Sequence, residues 1–265
     1  MGSATRQASN STKDALAALG GSVDLATAEQ LFSAGRVLAE SSQLRATLAD
    51  PAINAGAKDG LIGKVFGDKL GKNASTLLLA AVSSDWSSQD DLLAGIEDLA
   101  LRVTAISAPD SLSIDAELFA FSRVVASDNE LELALGTKLG DISSKAGLVA
   151  ALLGGKASAQ TIVVVSALVQ LPLGRRIGAL LEHAASVIAD QSGKAIATVT
   201  SAAPIAASQL VSLTASLTKI YGRELRLNLV IDPSIIGGLR VQVGDDVIDG
   251  SISSRINDVR LQLAG

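Results

Sequence analysis

One stretch of this chain repeats another stretch 87 residues upstream of it. "EQLFSAGRVLAESSQLRATL" (Glu29 to Leu48) aligns with "AELFAFSRVVASDNELELAL" (Ala116 to Leu135), pairing Leu31 with Leu118, Phe32 with Phe119, Arg36 with Arg123, Leu44 with Leu131 and Leu48 with Leu135. The same offset carries "KDGLIGKVFG" from Lys58 onto "KAGLVAALLG" from Lys145. After a two-residue deletion "ASTLLLAAV" from Ala74 meets "AQTIVVVSA" from Ala159, and Glu97 falls opposite Glu182. Shared Phe, Arg, Lys and Gly positions do not arise from an Ala/Leu-rich composition alone. They point to an internal duplication, roughly residues 23–107 and 110–191. Two copies are fewer than a solenoid needs, so the expectation is a pair of small bundles.

Each copy reads as helices. Ile177, Leu180, Leu181, Ala184 and Ile188 form one apolar stripe at helical spacing. Asp50-Pro51 and Ala108-Pro109 interrupt the helices, because the residue before proline is pushed out of the α region. Gly20-Gly21 sets off a short N-terminal helix, about residues 12–19.

Past Ser192-Gly193 the period changes. "KAIATVTSA" alternates as a strand, with Ala195, Ala197 and Val199 on one face. From Ile205 to Tyr221 helical spacing returns with Leu210, Leu213, Leu217 and Ile220, closed by Gly222 at a C-cap position. "ELRLNLVID" alternates again through Leu225, Leu227, Leu229 and Ile231, and "LRVQVGDDVIDGS" supplies a strand, a turn and a short strand. A last helix places Ile252, Ile256, Val259 and Leu263 on one face, with Asp249 or Ser251 as its cap. The expected fold is a mainly α N-terminal region, a duplicated helical bundle, followed by a small α/β domain ordered β-α-β-β-β-α. Its divisions are 1–109, 110–192 and 193–265.

Composition narrows function. Of 265 residues 48% are apolar and only 2% aromatic, so the core is aliphatic and unlike an aromatic-lined ligand pocket. A net charge of -5, with Arg175-Arg176 the longest basic run, argues against nucleic acid as a partner. No cysteine is present, which removes disulfides and thiolate metal sites. "MGSATRQASNSTKD" lacks the apolar core of a signal peptide, and the most apolar segment, Thr161 to Gly174, is too short to span a bilayer. A soluble protein is expected, touching membrane only through partners.

"PSIIGGLRVQVGDDVIDGSISSRI", from Pro233 to Ile256, tests whether there is chemistry here. Gly237-Gly238 lacks the further glycines of a dinucleotide fingerprint and does not open a helix. Gly63-Lys64, Gly71-Lys72, Gly154-Gly155-Lys156 and Gly193-Lys194 lack the Ser/Thr that follows a P-loop lysine. Asp245 and Asp246 are neighbours, which on an extended chain point to opposite faces and cannot share a proton or metal. The glycines are therefore backbone devices: Gly237-Gly238 for a sharp turn, Gly244 for the next. His183 is the single histidine and has no second ligand at helical spacing, and Trp86 reads as a packing anchor. No catalytic, cofactor or metal site is expected.

The segment from Lys194 to Leu263, above all "IDPSIIGGLRVQVGDDVIDGSISSRINDVRLQL" with "ATVTSAAPI" upstream, resembles the C-terminal signature of the delta subunit of bacterial F-type ATP synthases. The mitochondrial relative is the oligomycin-sensitivity-conferring protein. Residues 12–191 resemble the family's N-terminal bundle more loosely, and the doubled bundle is similar to long actinobacterial forms. The resemblance implies a non-catalytic stator subunit on the cytoplasmic face of the cell membrane. Its bundle would hold the N-terminal helices of the alpha subunits, and its α/β domain the C-terminal end of the peripheral-stalk b subunit.

The family groove lies between the bundle's first and fifth helices. In the first copy these are about residues 12–19 and 74–82, with Leu77, Leu78 and Val82 as candidate contacts. The second copy, with its fifth helix at residues 162–168, shows no evident counterpart of the first helix, which favours the first copy for the alpha contact. Gly237, Gly238, Arg240, Gly244, Asp249 and Gly250 are the motif residues; Arg240, Arg255 and Arg260 either pair with acidic groups on b or simply solvate their faces, with Arg255 and Arg260 the candidate contacts. Two rivals stand beside this reading. One is a generic helical adaptor; the other is an enzyme with a site where helical and α/β parts meet, for which no cluster of acid–base groups is evident.

Overall fold

The computed structural model describes residues 2–136, 142–235, 237–244 and 246–250. They form two compact units, Met1–Ile188 and Ala189–Gly265.

The first unit is helical: α1 Ser3–Leu19, α2 Leu25–Glu40, α3 Ser42–Ala49, α4 Ala55–Phe66, α5 Lys72–Val82, α6 Gln89–Ile106, α7 Ile114–Ser127, α8 Asn129–Gly136, α9 Ile142–Leu153, α10 Ala159–Gln170 and α11 Ile177–Gln191. Side chains of Asp24, Ser41, Asn54, Ser88 and Ser158 each accept a backbone N–H at a helix start, so the boundaries are written in the sequence as caps. The first helix is longer than residues 12–19. Thr5, Ala8, Thr12 and Leu16 are buried on one face, a stripe too small and polar to show in the hydrophobic pattern.

The duplication is visible element by element. Helices α3, α4 and α5 begin at residues 42, 55 and 72, and α8, α9 and α10 begin at 129, 142 and 159, the same offset. Buried Ala74, Leu77, Leu78, Ala81 and Val82 in α5 match buried Thr161, Val164, Val165, Leu168 and Val169 in α10 without a gap. The deletion assigned to this helix therefore lies after it, in the turns before α6 and α11. An aliphatic run tolerates a two-residue slip on paper, whereas burial does not.

Tertiary ties repeat too. Gln30 on α2 accepts the Gly71 N–H at 2.7 Å, and Glu117 on α7 accepts the Ser158 N–H at 3.0 Å, both partners at the same offset. Burial works against the Glu117 charge, but the Thr161 and Ser158 hydroxyls and the Ser158 N–H outweigh it and hold the carboxyl below its usual range. The shared lysine also has a use, since Lys58 is buried and donates from Nζ to the Val82 carbonyl at the end of α5, 2.6 Å away.

The two copies share one helix. Buried Thr5, Ala8, Thr12 and Leu16 of α1, moved by the same offset, fall on buried Leu92, Gly95, Leu99 and Val103 of α6. Helix α6 closes the first bundle against α2 and also packs on α10, as α1 packs on α5. The second copy thus has a first helix, and it is the last helix of the first copy. Rather than standing apart, the copies meet where α10 lies on α2 and α6.

In the second unit, strands β1 Lys194–Ser201, β2 Glu224–Ile231, β3 Leu239–Val243 and β4 Asp246–Asp249 form one sheet ordered β2-β1-β3-β4, and α12 (Ala207–Tyr221) joins the parallel pair β1/β2. β3 runs antiparallel to both β1 and β4. Ala195, Ala197, Val199, Leu217, Leu225, Val241 and Val243 make the core. Gly222 ends α12 in the left-handed region, as its position predicts. Two residues of the apolar periodicities read in the sequence are exposed, Ile220 at 65% and Ile231 at 51%. The inner stripe of α12 steps through Leu213, Leu217 and Tyr221, which turns Ile220 aside, and Ile231 ends the edge strand. Asp245 and the helix expected over residues 252–263 lie outside the described residues.

Candidate functional site

The candidate sites are surfaces. In the first unit α1 and α5 pack together, and Leu77, Leu78 and Val82 are fully buried between the helices. In this conformation they fill the core and offer no surface to a partner. Exposed residues of the pair are polar or small, among them Arg6, Asn10 and Asp14 on α1 and Thr76 on α5, with Leu79 and Ala80 half-buried.

Where the copies meet there is a polar clasp that sequence reading missed. Arg175, in the turn before α11, donates to both carboxylate oxygens of Glu97 on α6, at 2.6 and 2.7 Å. His183 Nε2 lies 3.0 Å from Asp98 Oδ1 and 4.0 Å from Glu97, and Arg102 lies 3.8 Å from Asp98. Burial pushes the Glu97 carboxyl above the usual range, and Arg175 and His183 pull back only part of the way. These partners are separated by about as many residues as the repeat, so only the duplication itself, which sets Glu97 opposite Glu182 on α11, hinted that α6 and α11 belong together. The clasp joins helices; among the described residues no group of His, Asp and Glu is arranged to hold a metal.

In the second unit the motif glycines have backbone roles. Gly237 and Gly238 have φ of 83° and 85°, and Gly244 has φ of 59° at the β3–β4 turn, a region that side chains rarely enter. The Gly250 N–H donates to the Leu239 carbonyl at 2.9 Å, and a Cβ there would come within 3.2 Å of the same oxygen. Arg240 stands opposite Thr200 on one side and Asp249 on the other. Gly237 and Gly238 also edge an open groove of about 730 Å³ along α12, lined by Ile205, Ser212, Leu213 and Ser216. Arg255 and Arg260 lie outside the described residues.

The family model for the ATP synthase delta (OSCP) subunit matches residues 100–263, beginning inside α6. The ATP synthase subunit delta of Leifsonia xyli subsp. xyli is 54% identical, covering all of both chains. The chain belongs to the ATP synthase delta (OSCP) subunit family. The subunit delta of Streptomyces avermitilis is 39% identical over 98% of each chain, and that of Thermobifida fusca 38% over 89% of each. As a delta-family chain it is a non-catalytic component of the peripheral stalk, peripheral to the membrane that carries the complex. Among the described residues no helix is long and apolar enough to cross a membrane. These relatives match the first copy as well as the second.

Proposed function

We propose that this delta-family chain is the link that keeps the catalytic head from turning with the rotor. The helical region holds N-terminal helices of the alpha subunits, and the α/β domain holds the C-terminal end of the b subunit at the cytoplasmic face of the membrane. The divisions 1–109, 110–192 and 193–265 follow the copies, with α6 serving both bundles. The observation that carries this reading is the groove beside Gly237-Gly238, where the family's motif residues border an open, small-residue channel along α12. Such a channel suits a helix laid lengthwise. On this reading the alpha contact falls on the outer faces of α1 and α5, because Leu77, Leu78 and Val82 are occupied in the core.

The test is a pull-down of ATP synthase subunits from solubilised membranes of the source organism with the tagged full chain. Recovery of alpha and b together is expected. Ser212→Arg, in the groove, is expected to lose b and keep alpha. Recovery of neither subunit would remove the stator reading, and capture of unrelated helical proteins in their place would favour a general helical adaptor.

A further inference from the structure

The duplication lets the chain serve as its own template for helix docking. Helix α10 and the shared helix α6 are, in the second copy, what α5 and α1 are in the first. Across that pair lies α2, with Leu31, Phe32 and Gly35 meeting Leu93, Ile96 and Glu97 of α6 and Ala167, Leu168 and Leu171 around α10. A Cβ on Gly35 would touch Ile96 at 3.6 Å and Leu171 at 3.9 Å, so the helices cross at close range. We propose that α2 fills, within the chain, the helix-docking face of the second copy, so that the doubled bundle offers one such face rather than two.

Residue identities on the two faces agree with this. Moved back by the repeat, Leu93, Ile96 and Glu97 become Arg6, Ser9 and Asn10, and Ala167, Leu168 and Leu171 become Ala80, Ala81 and Ser84. The face that α2 covers is largely apolar. Its counterpart on α1 and α5 is polar or small, and all of it except Ala81 remains exposed or half-buried. A permanently covered face must be apolar, whereas one that spends time in water before a partner arrives must be soluble alone. On α7, the counterpart of α2, Phe119 and Ser122 are half-buried where Phe32 and Gly35 are buried, because no further copy follows. The open face is suited to one amphipathic helix crossing as α2 crosses α6, with a small residue at the contact and an acidic one toward Arg6. The occupant is the alpha N-terminal helix. That assignment rests on the stator reading; the internal occupancy rests on packing alone.

Two measurements on the full chain separate them. Calorimetric titration with a synthetic peptide of the alpha N-terminus is expected to give one equivalent. Ala80→Arg should weaken binding by roughly tenfold or more, since a long side chain overpacks a close crossing. Asn10→Arg, at a solvent-facing position, repeats the test without risk to the fold, and Ser122→Arg on α7 should bind as the parent does. Two equivalents, or binding untouched by both A80R and N10R, would overturn the proposal. Hydrogen exchange on the free chain is the second measurement, with the amides of α2 and α10 expected to exchange as one unit. Faster independent opening of α10 would overturn internal occupancy whatever the peptide does. Joint exchange without any peptide binding would uphold internal occupancy and remove the alpha assignment. Self-association lost in both A80R and S122R would give the open face to a second copy of this chain and overturn its assignment to alpha.

Discussion

Gly95 is the residue at which two opposed preferences can be weighed. In mid-helix, glycine costs about 1 kcal/mol relative to alanine, so Gly95→Ala should stabilise α6 on propensity alone. A Cβ there, however, would fall 2.0 Å from the Trp86 ring and within 2.6 Å of two more of its atoms. The ring is not free to retreat, because its Nε1–H donates to the Ala81 carbonyl at 2.7 Å. Overpacking of this kind costs about 1–3 kcal/mol, more than propensity returns. Gly95→Ala is therefore expected to destabilise the chain in urea and to shift the fluorescence of its single tryptophan. In a Trp86→Ala background, followed by circular dichroism, the same change should become neutral or stabilising. A stabilised G95A with Trp86 intact would show that the ring relocates at little cost.

At the scale of elements, the clasp between α6 and α11 makes the next prediction. Arg175→Ala leaves the Glu97 carboxylate buried with its main partner gone. Breaking a buried pair costs about 3–5 kcal/mol, and with Arg175 itself partly exposed about 2–3 kcal/mol is expected near neutral pH. The sign of the pH dependence follows from burial, which already holds this carboxyl above its usual range. Removing Arg175 raises it further, so the folded state binds a proton at a pH where the unfolded state does not. The penalty is full above the folded-state value and disappears below the ordinary carboxylate range. Urea midpoints at pH 7 and pH 5, with His183→Gln in both backgrounds, should therefore show a smaller deficit at the lower pH. A deficit that grows on acidification would refute this account. The clasp was illegible in the sequence because its partners stand a whole repeat apart, whereas the break between α3 and α4 was legible in Asp50-Pro51 and that between α6 and α7 in Ala108-Pro109. Helix α1 was half-read for another reason: its buried Thr5, Ala8 and Thr12 carry little hydrophobic signal. The strands of the α/β domain were legible because alternation over Ala195, Ala197 and Val199 survives even with small side chains.

For the whole helical unit, the shared helix decides where the chain can be cut. If the copies were separate bundles, removing residues 1–108 would leave the second intact. With α6 as its first helix, that cut strips the cover from α10, whose Val164, Val165 and Leu168 are buried. A chain beginning at Pro109 is expected to lose its cooperative unfolding and to aggregate, while one beginning at Ser88 keeps α6 through α11 and should unfold in one transition. The longer chain has a flaw of its own, since it uncovers the face on which α2 rested. The repeat supplies the remedy: the open counterpart of that face carries Arg6, Ser9 and Ser84 where the covered face has Leu93, Ile96 and Leu171. Adding L93R, I96S and L171S to the Ser88 chain should make it soluble and monomeric without lowering its helix content, as read by sedimentation and circular dichroism. The same three changes in the full chain should destabilise it. There Leu93 and Ile96 are buried and Leu171 half-buried, and putting polar groups in place of buried apolar ones costs on the order of several kcal/mol. Opposite effects of one set of substitutions in two lengths of chain are what a self-occupied face requires. If the Pro109 chain folds as cooperatively as the Ser88 chain, α6 is not the first helix of the second bundle.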